Sequence, residues 1–97
     1  MRIDVAAGDD LVAAVRGATG DSLVVVIAPR ASLEMALARA AIGPLAVERA
    51  PAMRVNAVMP GAGASAADVA AAVAFLEGAQ STTGQILEID SVGQSRT

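Results

Sequence analysis

The chain has no Cys, His, Lys, Tyr or Trp, and Phe75 is its only aromatic residue. These absences exclude thiolate, imidazole, amine and phenol chemistry, and with them most mechanisms of proton transfer and covalent catalysis. Disulfides and large aromatics are equally missing, so no covalent staple reinforces the core. Seven Arg stand against six Asp and four Glu, a net charge of -3 that argues against phosphate-backbone binding driven by counterion release. Nucleic acid is not an expected partner. No apolar run approaches the ~18–20 residues of a membrane span, and Met1-Arg2-Ile3-Asp4 has none of the features of a signal peptide. The expectation is a cytoplasmic protein with no membrane partner.

Against these absences stands an apolar fraction of 55%, of which 24 residues are Ala. A single domain over residues 1–97 follows from the length, with a core built of small pieces. Four β-like runs alternate with three helical ones, as βαβ units around a parallel sheet require. Arg2 to Ala6 is the first strand. Ser22 to Ala28 reads Leu-Val-Val-Val-Ile without alternation, as a strand covered on both faces does. Arg54 to Met59 and Gln85 to Asp90 supply β-branched and large apolar residues for the third and fourth. Asp9 to Arg16 carries a short stripe of Leu11, Val12 and Val15. Ala31 to Arg49 places Leu33, Leu37, Ala40 and Ala41 on one side, with Ser32 as its expected cap and a kink or break near Ile42, because Gly43-Pro44 lies inside it. Ser65 to Glu77 opens on Ser65-Ala-Ala-Asp68, a capping-box-like start, followed by Val69, Val73 and Leu76 at helical spacing.

Three passages resemble one family. Glu48-Arg-Ala-Pro51 followed by Arg54-Val-Asn-Ala-Val58-Met-Pro60-Gly61 is similar to the stretch of short-chain dehydrogenases/reductases that runs from the end of the catalytic helix into the sixth strand and its Pro-Gly turn. Asp68 to Leu76 resembles the family's helix before the last strand, and Thr83-Gly84-Gln85-Ile-Leu-Glu-Ile-Asp90 resembles that strand. The likeness runs from about Ser22 to Gly93. It implies a truncated, partial Rossmann-like domain, β-α-β-α-β-α-β, whose four parallel strands lie in sequence order and correspond to the family's C-terminal half. It also implies a left-handed last crossover, with the third helix on the opposite face, where the general rule would give a right-handed one.

Several elements of the family are absent. The Gly-rich turn that holds the dinucleotide is not in this sequence. Around Arg30 to Met35, where the resemblance would place Tyr-x-x-x-Lys, the chain reads Arg30-Ala-Ser-Leu-Glu34-Met35. Residues 62–67 alone separate Gly61 from Asp68, where the family carries a long substrate-covering loop. Hydride-transfer catalysis by this chain alone is therefore not expected. No cofactor is expected either, and NAD(P) enters only if a partner chain supplies the nucleotide-binding half.

Two places merit weighing as sites. Pro60, Gly61, Gly63 and Ser65 form a strand-to-helix turn whose amides could hold a small anion or a nicotinamide amide; the plainer reading is a tight turn that Ser65 caps. Arg30, at the mouth of the central strand, could bind a carboxylate or phosphate; the plainer reading is a solvated arginine after Pro29. Asp9 and Asp10, with Asp4, read as helix-start charges rather than a cation site, so no metal is assigned. Methionines 35, 53 and 59 read as core filling.

The resulting expectation is a non-catalytic, dehydrogenase-like association module that pairs with itself or with a complete reductase. Ala36, Ala40, Ala70 and Val73 are its candidate contact residues, because small side chains permit close helix approach, and the open edge of the first strand is a second candidate. The alternatives are a subunit whose oxidoreductase site is completed by a partner chain, and a small anion- or nucleotide-binding protein.

Overall fold

Six consecutive residues, Ser22–Ile27, are buried on both faces and form the central strand β2. In the computed structural model, which describes residues 1–89, β2 lies between β1 (Arg2–Val5) and β3 (Arg54–Pro60), and β4 (Ile86–Ile89) completes a parallel sheet in the order β1-β2-β3-β4. The expected α/β order is observed. The part of the fourth-strand expectation that falls on Asp90 lies outside the described residues.

Alternate residues of β2 serve two separate cores. Leu23, Val25 and Ile27 join Val55, Ala57 and Met59 beneath α1 (Leu11–Gly17) and α2 (Ser32–Arg49), whereas Val24, Val26 and Val58 pack under Val69, Val73 and Leu76 of α3 (Ala66–Gly78). The sheet grows in one direction while α3 lies opposite α1 and α2. The last crossover therefore has the opposite hand to the first two, and with those right-handed it is left-handed. This matches what the family resemblance implies.

The same register explains the first strand. Arg2 and Asp4 stand beside Val24 and Val26, so their side chains lie on the α3 face. α3 itself crosses β2, β3 and β4. At the margin of that layer β1 presents a charged pair, Arg2 Nε to Asp4 Oδ1 at 2.9 Å, while Ile3 and Val5 pack on the α1 side.

α2 departs from expectation in three ways. It runs unbroken through Gly43 and Pro44. Pro44 removes one bond to the Ala40 carbonyl, but both residues lie on the exposed side, where water can satisfy that oxygen, while Ile42, Leu45 and Ala46 anchor both sides of the proline to the sheet. Ser32 is not the cap: Ala31 occupies that position, without a side-chain hydrogen bond. The buried side is Ala38, Ile42, Leu45 and Ala46, and Leu33 and Leu37 face solvent. The other helices start as expected, with Asp10 Oδ1 accepting from Ala13 N at 3.0 Å and Ser65 Oγ from Asp68 N at 3.0 Å.

Asn56, fully buried in β3, fastens the loop ahead of β4. Its Nδ2 donates to Thr82 O at 2.9 Å and its Oδ1 accepts from Gln85 N at 3.0 Å. Asn56→Ala leaves two backbone groups unpaired and is expected to cost about 2–3 kcal/mol. Urea unfolding checks this; a loss below ~0.5 kcal/mol would show that the loop holds without it.

Candidate functional site

Ligands in open α/β sheets gather at the carboxyl ends of the strands, and both candidate sites lie there. At the end of β3, Gly61 N donates to Ile89 O at 2.7 Å. A Cβ on Gly61 would stand 3.2 Å from that same oxygen, so the glycine permits the close approach of β3 to β4. Gly63 has φ +90°, and Ala64 N closes the turn on Gly61 O at 3.1 Å. Ser65 then caps α3. Of the groups named from sequence as an anion cradle, the Gly61 amide and the Ser65 oxygen are engaged within the chain's own turn and helix start.

Arg30 behaves in the same way. Its Nε donates to Ala28 O and its Nη2 to Val5 O, both at 3.0 Å, so the guanidinium ties the ends of β1 and β2 together. Arg30 also lines a shallow hollow between α1 and α2 with Asp9, Asp10, Leu11, Glu34 and Leu37. Pro60 lines a different hollow, on the α3 face, with Val26, Ala66 and Val69. The structure therefore places the two candidates on opposite faces of the sheet and does not bring them together. The three N-terminal carboxylates are also occupied, Asp4 by Arg2, Asp9 by Ala6 N at 2.9 Å and Asp10 by the helix start.

The candidate contact residues divide between surface and core. Ala36, Ala40 and Ala70 are exposed, whereas Val73 is buried under α3 and presents no surface. Sequence reasoning passed over the larger exposed groups: Leu33, Leu37 and Val47 on α2 are 66%, 62% and 77% exposed, and Phe75 on α3 is 65% exposed. Leu33 and Leu37 are placed on one side of α2 by sequence but not named as contacts, and Val47 and Phe75 are not named as contacts either.

A family model described as "short chain dehydrogenase-like protein" matches residues 4–89. The chain belongs to this short-chain dehydrogenase-like family. Neither the curated proteins nor the solved structures returned a match. Among the described residues of this dehydrogenase-like chain, no helix is long and apolar enough to cross a membrane.

Two exposed ion pairs cross between elements of the dehydrogenase-like fold. Arg16 of α1 makes a bidentate contact with Glu48 of α2, 2.8 Å for each bond, and Arg39 of α2 reaches Glu88 of β4 at 2.6 Å. Through these hydrogen bonds each guanidinium holds its carboxyl below the ordinary value of 4.5. A carboxyl depressed in the folded state stabilises above its unfolded value, and the benefit is lost as pH falls through the folded one. The acid limb of the stability curve should therefore lie below about pH 4.5, and Glu48→Gln/Glu88→Gln should flatten it; parallel acid limbs in thermal melts of the two proteins would contradict this.

Proposed function

We propose that the chain is a non-catalytic, short-chain dehydrogenase-like association module, whose α2 packs against a helix of a second copy or of a complete reductase. The observation that carries this reading is the exposed stripe opposite the buried side of α2: Leu33, Ala36, Leu37, Ala40, Gly43, Pro44 and Val47. An apolar stripe on the outer side of a surface helix is what an interface requires. The stripe is also self-complementary. Antiparallel about Ala40, Leu33 meets the partner's Val47, Ala36 meets the partner's Pro44, and Leu37 meets the partner's Gly43, large against small. No charge falls within it, and the flanking Arg39 and Glu48 are already drawn to Glu88 and Arg16.

Chemistry supports the same reading. The 97 residues hold no Tyr or Lys to exchange and steer a proton, and the strand-end donors described above are engaged within the chain. A reductase site, with NAD(P), would need a partner chain to supply those groups.

Light scattering at micromolar concentration is expected to give more than one chain mass. Leu37→Glu should lower that mass at equal concentration without changing the thermal melt. An unchanged mass would refute α2 as the contact. Co-purification with a complete reductase, lost in Leu37→Glu, would identify the hetero-partner, and turnover of a carbonyl compound by the purified chain alone would overturn the non-catalytic reading.

A further inference from the structure

We infer that the open edge of β1 is a second, separate contact, at which another copy adds its own β1 antiparallel with Ile3 on the two-fold axis, joining two sheets into one. Val24 N donates to Met1 O at 2.8 Å and Ala28 N to Val5 O at 3.0 Å, so the backbone groups of Met1, Ile3 and Val5 face β2. Those of Arg2 and Asp4 point the other way, and β1 has no neighbouring strand on that side among the described residues.

Edge strands are commonly guarded by charge, which repels a copy of the same strand. Here the guard is self-complementary. Rotation about Ile3 sets Arg2 opposite the partner's Asp4 and Asp4 opposite the partner's Arg2. Both are positions whose N–H and C=O face outward, so each pair exchanges two backbone hydrogen bonds. Their side chains share the α3 face and build a ladder of alternating charge, and Ile3 meets the partner's Ile3 on the other face. A parallel arrangement would turn one sheet over, leaving Arg2 and Asp4 of the two chains on opposite faces, and would bring Asp9 and Asp10 to the same end as the partner's copies; the antiparallel one pairs the charges on one face and holds those acidic ends apart.

The helical layer allows this approach. The hollow between β1 and α1 is lined by Ile3, Ala13, Ala14, Gly17 and Ala18, small groups that let two α1 helices lie close over the joined sheet, with Asp9 and Asp10 also lining it. A contact made by strands of four residues lies at the low end of interface size, so the association is weak and depends on concentration.

The test uses the full chain in a Leu37→Glu background, which separates this contact from that of α2. Amide exchange at Arg2 and Asp4 should slow as concentration rises, in step with a rise in mass by sedimentation. Arg2→Asp places like charges opposite each other and should weaken the association by roughly tenfold. Arg2→Asp/Asp4→Arg should restore it, and Asp4→Pro, which removes an outward N–H while keeping the ladder to β2, should abolish it. Protected amides across Val24 to Ile27 verify that each variant is folded. Arg2 and Asp4 amides that exchange at the same rate at every concentration, or a charge swap that fails to rescue, would overturn the inference; protection that appears only on adding a different protein would replace the second copy with that protein.

Discussion

The structure depends on covering both faces of one strand. Each β2 side chain from Leu23 to Ile27 is at most 7% exposed, and alternate residues point to opposite sides. Three crossovers of one hand would put every helix on one face and leave Val24, Val26 and Val58 in water. Reversing the last crossover moves α3 across, where Val69, Val73 and Leu76 close the second core. The usual handedness preference gives way because an open sheet face of valines costs more than an unusual connection. The charged first strand follows from the same arrangement. α3 lies over the three strands on its own side of the sheet, so β1 meets solvent with Arg2 and Asp4 in place of more valine.

The strands and α3 were legible in the sequence because their signals are local. An unbroken Leu-Val-Val-Val-Ile run admits one reading, and Ser65 three residues before Asp68 marks a helix start. The span of α2 was legible too, but its buried face was not, because it carries two apolar stripes and hydropathy favours the wrong one. Leu33 and Leu37 outrank Ala38 and Ala46 on any transfer scale, yet the alanines are buried, since a helix lying close on a sheet takes small residues where backbone nears backbone. Pro44 misled for a related reason: its cost assumes a carbonyl left unsatisfied, and on the solvent side that carbonyl is hydrated.

The candidate ligand groups were legible as residues, but the directions of their donors were not. A turn with two glycines and an arginine at a strand mouth each has the composition of an anion site, but composition does not reveal where the donors point. Short connections decide that. Gly61 has to reach Ile89 and Arg30 has to reach Val5 for four strands to end in register, so groups that a longer loop would free are turned back on the sheet. The Gly61 amide and the Arg30 guanidinium are thus engaged within the sheet, while the apolar stripe of α2 and the edge of β1 face outward.

Two self-complementary patches on one chain raise the question of closure. Antiparallel pairing through β1 has its two-fold axis perpendicular to the sheet, so both copies keep α1 and α2 on the same face of the joined sheet. Pairing through α2 has its axis in the plane of that layer. Axes at right angles close a tetramer only when they intersect and both outward stripes can meet one opposing pair. Strand twist of roughly 20–25° per neighbour accumulates between the two α2 helices and turns their stripes apart, which works against that condition. A row of chains is the geometric alternative, and each added copy brings a further net charge of -3 that opposes its growth. Of the two proposed contacts, the longer apolar one on α2 would fill first, and the edge of β1 would bind in proportion to the chains left over.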